Sequence, residues 1–187
     1  MGEKKVLTML LGSPRKDGNS ETLADALAAG AAEKGYEVRK VRLAGMTLKG
    51  CLDCRRCWSA GSPCIQRDEM DKVYEDLEAA DVIAFVSPLY YFSWSAQIKP
   101  VFDRLLPFGA KDAPRTLNDK KAVLIAAAGD DEAEVFDGLK ATYRLTVGYL
   151  GWENIGEVCA HGIYTRGEMA EKGAAWLSAA KDLGGKL

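Results

Sequence analysis

The sequence predicts an α/β fold: a doubly wound parallel sheet of five strands with helices on both faces. Three observations lead to this prediction. Strand-like and helix-like segments alternate five times, several strand-like segments are uninterrupted apolar runs, and the helix-like segments each carry one apolar stripe. Strands buried on both faces are typical of parallel sheets, which crossover helices cover on both sides. The chain has 187 residues, enough for one such core, so we expect a single domain over residues 1–187.

The five predicted strands differ in their patterns. Residues 6–11, 82–86 and 122–128 are continuous apolar runs, which favours the buried centre of the sheet. Residues 36–43 alternate polar and apolar side chains, which favours a position nearer an edge, and the last strand is predicted at residues 154–160. Ligands bind such sheets beyond the carboxyl ends of the strands. We therefore expect the site in the loops after the first, third and fourth strands, with a cysteine-rich loop after the second.

Helices are predicted between and after these strands. The first has Ser20 as its expected N-cap and Gly35 as the residue just beyond its end. The others are predicted at residues 70–77, 95–106, 132–150 and 166–183. Pro100 fits poorly inside the third helix, so we expect a kink or a later start there.

Charge and hydropathy exclude several classes of partner. The formal net charge is −2 and no apolar run reaches the length of a membrane span, so we expect neither a nucleic-acid nor a membrane partner. Charged residues follow the short apolar run 6–11 where a signal peptide would have its cleavage site, which favours a cytoplasmic protein. Cytosolic thiols stay reduced, so clustered cysteines there are metal-binding or redox-active more often than disulfide-bonded.

The loop after the first predicted strand has the features of an anion site. It reads GSPRKDGNS and ends at a helix N-terminus, where free backbone N–H groups and the helix dipole favour negative charge. Its candidate phosphate ligands are Ser13, Arg15, Gly18, Asn19 and Ser20, and Gly18 allows a positive φ. The dinucleotide motif GxGxxG and the triphosphate motif GK[ST] are both absent, which leaves a monophosphate such as that of FMN. Ordinary helix capping uses the same residue types, so the loop alone leaves both interpretations open.

The loop after the third predicted strand is rich in aromatic residues. It reads SPLYYFSWS over residues 87–95 and holds four aromatic side chains at the same edge of the sheet. Any one of them is more simply a core residue, but four together favour the wall of a pocket for a flat ligand. An isoalloxazine ring is such a ligand.

Three segments together carry a family resemblance: GSPRKDGNSETL, the run CLDCRRCW with CIQRDEM after it, and SPLYYFSWSAQIKPVFDRL. Over residues 5 to about 106 the chain resembles the flavodoxin-like NAD(P)H-dependent FMN reductases, in the cysteine-loop subgroup that includes the iron–sulfur flavoproteins. The resemblance implies bound FMN, NAD(P)H as co-substrate, and a homodimer or homotetramer with flavin sites near the subunit interface.

The resemblance also assigns residues to the cofactor. The phosphate would be held by Ser13, Arg15, Gly18, Asn19 and Ser20. The isoalloxazine ring would be wrapped by Pro88, Leu89, Tyr90, Tyr91, Phe92 and Ser93, and its other edge lined by Ala127, Ala128, Gly129 and Asp130. Hydride transfer to a flavin needs no protein acid or base, so no catalytic side chain is assigned.

The cysteine loop, Gly50–Cys64, leaves its occupant open. Its cysteines are spaced C-x2-C-x2-C-x6-C, which suits a [4Fe–4S] cluster on Cys51, Cys54, Cys57 and Cys64. Relatives without a cluster carry nearly the same run, and Trp58 directly after the third cysteine resembles those relatives. Spacing cannot select a metal, so a cluster, zinc and metal-free thiols all remain alternatives.

Other reactive residue types receive simpler interpretations. His161 is interpreted as a surface or loop-packing residue, and Cys159 as a small core residue. Lys99, Asp103 and Arg104 are expected to form a solvated face or an ion pair, with an interface contact as the alternative.

The leading functional hypothesis is an FMN-dependent NAD(P)H oxidoreductase. Its acceptor would be a small molecule: a quinone, a nitro or azo compound, a metal ion or free flavin. The alternative is an iron–sulfur flavoprotein that carries electrons from ferredoxin, although a net charge of −2 does not indicate a strongly acidic docking face. A third hypothesis is a flavin-binding sensor whose thiols report redox state.

Overall fold

The computed structural model describes residues 4–59, 63–109 and 116–187. Within these ranges five parallel strands form one sheet in the order β2-β1-β3-β4-β5. The strands are β1 (Val6–Leu11), β2 (Glu37–Arg42), β3 (Val82–Pro88), β4 (Lys121–Ala127) and β5 (Glu153–Ala160). This order is the flavodoxin-like one, so the predicted fold class is confirmed.

The helices lie on both faces of the sheet. They are α1 (Asn19–Glu33), α2 (Met70–Ala79), α3 (Lys99–Asp103), α4 (Leu106–Gly109), α5 (Asp137–Tyr149), α6 (Glu168–Lys172) and α7 (Ala174–Gly184). Two short 3₁₀ segments, Arg56–Trp58 and Ala133–Phe136, complete the regular structure of the described ranges. Over those same ranges, no helix combines the length and the hydropathy that crossing a bilayer requires.

The core has two layers because successive side chains of a buried strand point to opposite faces. In β1, Leu7, Met9 and Leu11 pack with α1 and α7, whereas Leu10 packs on the other face with α2 and α5. Phe85 of β3 lies at the centre of that second layer, stacked 4.8 Å from the ring of Phe102. Burial on both faces explains why the central strands read as uninterrupted apolar runs.

Helix α1, whose N-terminus reaches the candidate site, is fixed by unusually close packing on α7. A Cβ atom added to Gly30 would lie 2.0 Å from the Lys181 carbonyl oxygen, and one added to Gly184 would lie 2.1 Å from that of Leu27. The two helix backbones therefore contact each other directly, and larger residues at either glycine would push α1 away from the sheet.

Several predicted element boundaries need correction. The helix expected over 132–150 begins as the 3₁₀ segment Ala133–Phe136, a common helix start. The helix expected over 166–183 is two helices that meet at Gly173, a residue of low helix propensity. The later start expected around Pro100 is confirmed, since α3 begins at Lys99.

The ends of α1 give one correction and one confirmation. Ser20 is not the N-cap: Gly18 holds that position, without a side-chain hydrogen bond, and Asn19 is the first helical residue. Gly35 does follow the helix in the left-handed region, with φ of +87°.

Candidate functional site

A cavity of about 440 Å³ opens at the carboxyl ends of β1, β3 and β4. Most of the predicted cofactor residues line it, namely Ser13, Arg15, Gly18, Asn19, Ser20, Pro88, Leu89, Tyr90, Ala127, Ala128 and Gly129. The cavity lies at the switch point of the strand order, because β1 and β3 are neighbours while β2 lies on the other side of β1. Its volume is in the range of small-molecule sites.

Four predicted residues do not line the cavity: Tyr91, Phe92, Ser93 and Asp130. The Tyr90 and Ser93 backbones bond to each other in both directions, so residues 90–93 form a two-residue hairpin turn. Tyr91 and Phe92 both have positive φ in this turn, and Tyr91 is 98% exposed. The turn therefore directs both rings into solvent, and among the loop's aromatic residues Tyr90 is the one that reaches the cavity.

The fourth aromatic residue of that loop, Trp94, belongs to the core. It is buried, its indole N–H donates to Thr142 Oγ1 at 2.8 Å, and its ring lies 4.5 Å from that of Phe102. The expectation of a four-residue aromatic wall is therefore wrong, because one ring packs inward and two face solvent.

The loop between β1 and α1 is held in shape by its own hydrogen bonds. Ser13 Oγ accepts from the Arg15 N–H at 3.1 Å, and Glu21 accepts from the Asp17 N–H at 2.8 Å. Positive φ occurs at Asp17 (54°), whereas Gly18, which allows it, has φ of −84°. In the described residues no side chain caps the start of α1, so its first backbone N–H groups are available to a ligand.

An ion pair between Glu21 and Arg42 stabilises this loop. The Glu21 side chain is 5% exposed and bonds to Arg42 on β2 as well as to Asp17. Burial would raise the pKa of Glu21, but the hydrogen bonds from Arg42 and the Asp17 N–H outweigh it and hold the pKa below its ordinary value. Glu21 is therefore charged at neutral pH, and its charge fixes the loop.

Replacing Glu21 with glutamine is expected to lower the free energy of unfolding by about 1–2 kcal/mol at pH 7, because a charged hydrogen bond is lost while Arg42 stays half-buried. The native pKa is depressed, so this contribution is present above the ordinary carboxyl pKa of about 4.3 and is lost as pH falls through the native value. Urea unfolding should show a constant gap between wild type and variant from neutral to mildly acidic pH, narrowing in stronger acid. The matched control is Asp25→Asn on the same helix, whose exposed pair with Lys40 should contribute little; an equal loss in both variants would contradict the argument.

Two buried serines join the loops after β1 and β3. The Ser95 hydroxyl donates to the Gly12 carbonyl at 2.6 Å, and the Ser95 N–H donates to Ser87 Oγ at 3.1 Å. Ser87 in turn donates to the Pro88 carbonyl at 2.8 Å. These bonds fix Pro88 relative to the first strand, so the two sides of the cavity keep their spacing.

A fourth wall of the cavity, absent from the sequence-based predictions, comes from the loop between β5 and α6. Ile163, Tyr164, Thr165 and Arg166 line the cavity from this side. The signal was present, since the loop follows a strand at the same sheet edge and reads GIYTRG, with three hydrogen-bonding or charged residues between glycines. Tyr164, 81% exposed, lies directly over Gly129: an added Cβ there would be 2.3 Å from Tyr164 Cδ2.

Asn19 attaches this fourth wall to the β1–α1 loop. Its amide nitrogen donates to the Thr165 carbonyl at 2.8 Å, and its carbonyl oxygen accepts from the N–H groups of Gly167 and Met169. Glu168 holds the same loop, since hydrogen bonds with Thr165, Lys172 and Tyr164 lower the pKa of its carboxyl to about 2. Asn19 thus lines the cavity while its side chain is already committed to positioning the β5–α6 loop.

The chain is similar to known proteins in both sequence and structure. The family model for NADPH-dependent FMN reductases matches residues 5–148. The chain belongs to this family. It is 35% identical over 123 residues to an iron-sulfur flavoprotein of Archaeoglobus fulgidus, covering 66% of this chain and 56% of that protein. It is 32% identical over 119 residues to an FMN-dependent NADH:quinone oxidoreductase of Escherichia coli, covering 60% of this chain and 59% of that protein. The chain thus spans little more than half the length of these two curated relatives.

Solved structures agree with the flavodoxin-like fold of this FMN reductase family member. An NAD(P)H:quinone oxidoreductase from Methanothermobacter marburgensis has a TM-score of 0.76 at 20% identity, with 98% of this chain and 96% of that chain covered. An azoreductase from Bacillus anthracis has a TM-score of 0.74 at 21% identity, with 99% of this chain and 100% of that chain covered.

The cysteine loop of this FMN reductase family member lies apart from the cavity. Cys51, Cys54, Cys57 and Cys64 surround a second space of about 20 Å³ against α3 and α4, and no described residue lines both spaces. Cys51 and Cys54 are exposed, and burial raises the pKa of the Cys57 thiol.

Among the described residues, these thiols form no group that could hold a metal ion such as zinc. Outside residues 1–3, 60–62 and 110–115, no three or more His, Cys, Asp or Glu side chains are placed to hold a metal ion. Residues 60–62 of the loop lie outside the described residues. The metal assignment to the four cysteines therefore stays a prediction from their spacing.

Arg104 holds both ends of the cysteine loop. It is 1% exposed, and its guanidinium donates to the Asp68 carboxylate at 2.7 Å, to the Lys49 carbonyl at 3.2 Å and to the Gln66 carbonyl at 3.3 Å. The expected ion pair is thus found, but the expected solvated face is wrong for Arg104. Lys99 and Asp103 do form an exposed pair one turn away.

His161 and Cys159 lie outside the cavity. The His161 ring packs edge-on against Trp176, with centroids 5.0 Å apart, which agrees with a loop-packing role. Cys159 on β5 packs at the edge of the core, and burial raises the pKa of its thiol to about 12. A thiol with that pKa is a weak nucleophile at neutral pH.

Proposed function

We propose that the chain binds FMN in the 440 Å³ cavity and oxidises NAD(P)H, with a quinone, a nitro compound or an azo compound as the small-molecule acceptor. The observation that carries the proposal is the polarity of the cavity. One end holds an arginine and an uncapped helix N-terminus. The other end is lined mainly by apolar side chains and an aromatic ring. A phosphorylated flat ring has the same two-part character.

The charged end would hold the phosphate. The backbone N–H groups at the start of α1, a helix of 15 residues, carry partial positive charge, and Arg15 adds a full one. Ser13 and Ser20 add hydroxyl groups at the same end. Ser13 also holds the Arg15 backbone at 3.1 Å, so the loop is shaped before a ligand arrives.

The apolar end would hold the ring system. Pro88, Leu89 and Tyr90 lie on one side and Ala127–Gly129 on the other, joined by the Leu89 N–H bond to the Ala127 carbonyl at 2.9 Å. No aspartate or glutamate among the described residues lines the cavity, so no fixed negative charge opposes an anionic cofactor. Bound FMN would supply the redox chemistry by accepting hydride from a nicotinamide and passing electrons onward.

Membership of the NADPH-dependent FMN reductase family supports this proposal. The names of the Escherichia coli quinone oxidoreductase and of the two structural neighbours support the acceptor class. The relative from Archaeoglobus fulgidus supports a flavin in the same way, and its name keeps the alternative of an iron–sulfur flavoprotein open to test.

The test begins with the full chain, purified anaerobically and titrated with FMN. We expect FMN to bind and to support oxidation of NADPH or NADH, stimulated by benzoquinone, a nitroaromatic compound or an azo dye. A protein that binds FMN but oxidises neither nicotinamide with any acceptor would contradict the reductase proposal and favour a carrier or sensor. Iron and acid-labile sulfide measured on the same preparation decide between a cluster and metal-free thiols, and zinc analysis tests the remaining alternative.

The same sample tests the predicted assembly. Light scattering coupled to gel filtration should report a homodimer or homotetramer, as the resemblance implies. If the protein is a monomer under conditions of full turnover, the predicted homodimer or homotetramer is wrong.

A further inference from the structure

Two arginines face the cavity, one from each of two loops. Arg15 comes from the β1–α1 loop and Arg166 from the β5–α6 loop, and among the described residues they are the charged side chains that line this space. We propose that Arg166 is a second phosphate-binding cation, so that the site takes a phosphate dianion between two guanidinium groups. The inference rests on the proposed function and names a binding residue outside residues 5–148, the segment matched by the family model.

Among the described residues these two and Arg56 are the arginines without a carboxylate partner, and Arg56 does not line the cavity. Within the described ranges most arginines form an ion pair with a carboxylate, namely Arg39, Arg42, Arg55, Arg67, Arg104 and Arg144. Neither Arg15 nor Arg166 forms such a pair with any described residue. Two uncompensated guanidinium groups at one cavity attract an anion, and the bidentate geometry of arginine suits phosphate oxygens.

Arg166 is held in place rather than left to the solvent. Its Nη2 donates to the Lys16 carbonyl at 2.8 Å, so the side chain reaches across to the phosphate loop. Arginine has five N–H donors, and no other hydrogen bond engages this one within the described part of the chain. The remaining donors are available to a ligand at the start of α1.

The loop that carries Arg166 is fixed on both sides. Asn19 bonds to Thr165 and Gly167, the residues on either side of Arg166. The nearest carboxylate along the chain, Glu168, is engaged by the Tyr164 N–H at 2.7 Å and by Lys172 at 3.1 Å. The negative charge of Glu168 therefore stabilises the loop instead of neutralising Arg166.

Charge balance supports a second cation. A phosphate monoester carries about −1.5 to −2 at pH 7. One arginine together with a helix N-terminus of about +0.5 supplies about +1.5, which leaves a dianion partly uncompensated. Arg166 completes the compensation.

The test compares FMN with riboflavin, which has the same ring and no phosphate. In Arg166→Gln, FMN affinity should fall about 10- to 100-fold, as for the loss of a charged hydrogen bond, while riboflavin affinity stays unchanged. The control is Lys34→Gln, which removes an equal charge from an exposed side chain at the end of α1 opposite the cavity; it should leave the FMN-to-riboflavin ratio as in wild type. Arg166→Lys should restore part of the FMN affinity, since it keeps the charge but not the planar fork.

The outcomes separate this inference from the proposed function. If wild type binds FMN and Arg166→Gln leaves the FMN-to-riboflavin ratio unchanged, the inference is wrong while the proposed function stands. If Arg166→Gln weakens both ligands equally and Arg166→Lys does the same, Arg166 only shapes the loop and the inference is again wrong. If wild type binds no FMN, the proposed function fails first.

Discussion

Replacing Asp68 with asparagine is expected to lower the free energy of unfolding by about 3–5 kcal/mol, the usual cost of breaking a buried ion pair from one side. The Asp68 and Arg104 side chains are 3% and 1% exposed, so neither charge can be solvated by water in the folded protein. The variant would leave the Arg104 guanidinium buried opposite a neutral amide. Urea unfolding of the full chain measures the loss.

The same pair predicts sensitivity to acid. Burial would raise the pKa of Asp68, but the hydrogen bond from Arg104 and those from the Lys49 and Met70 N–H groups hold it below its ordinary value. A depressed carboxyl pKa stabilises the folded protein above the ordinary value of about 3.9, and the contribution disappears as pH falls through the native pKa. The stability gap between wild type and Asp68→Asn should therefore be full at pH 7 and shrink in strong acid.

The matched control is Asp103→Asn, which breaks the exposed pair with Lys99 on the adjoining helix. It should change stability little, because solvent screens that pair. Asp68→Asn should also speed the reaction of Cys57 with a thiol reagent, since Asp68 holds the Lys49 N–H at 3.0 Å at one end of the cysteine loop. Equal stability losses in the two variants, or unchanged thiol reactivity in Asp68→Asn, would contradict the role assigned to this pair.

The Arg104–Asp68 pair also illustrates what a sequence conceals. The central strands were predictable because burial on both faces leaves an uninterrupted apolar run, as in residues 82–86. Arg104 lies on an amphipathic pattern that favours solvent, and its partner is 36 residues earlier in the chain, with α2 and β3 between them. Sequence periodicity reports the preferred side of a helix but carries no record of a distant opposite charge, so the burial of this arginine could not be predicted.

In the candidate site, too, some features could be predicted from the sequence and others could not. The β1–α1 loop was predictable since local features define it: a buried strand, short polar residues and a helix start. The directions of Tyr91 and Phe92 were not, because a turn with two positive φ angles is uncommon for aromatic residues. The β5–α6 loop was overlooked although β5 ends at the same edge of the sheet, and its contribution depends on bonds to Asn19, nearly 150 residues earlier.

Replacing Ser20 with glutamate is expected to lower FMN affinity by about 100-fold or more in a chain that still folds. Ser20 is the second residue of α1, is buried, and lines the cavity. A carboxylate about 4 Å from a phosphate would repel it by about 4 kcal/mol per unit of charge at an effective dielectric constant of about 20, and Arg15 would offset part of this. The same carboxylate interacts favourably with the helix dipole, by about 0.3–1 kcal/mol, which offsets part of the cost of its burial, so thermal stability should change much less than FMN affinity.

A large loss of FMN affinity beside a small change in stability would make this variant informative. In Ser20→Gln the new side chain has nearly the size of glutamate but no charge, so this variant should lose much less FMN affinity. The two variants should differ far less in riboflavin affinity than in FMN affinity. Fluorescence titration measures the affinity of each variant for FMN and for riboflavin. Thermal unfolding of the ligand-free protein measures its stability. Equal FMN losses in the two variants would mean that side-chain volume rather than charge limits binding. Full FMN affinity in Ser20→Glu would mean that the phosphate does not lie at the start of α1, because no buried carboxylate could share that position with a dianion at so small a cost.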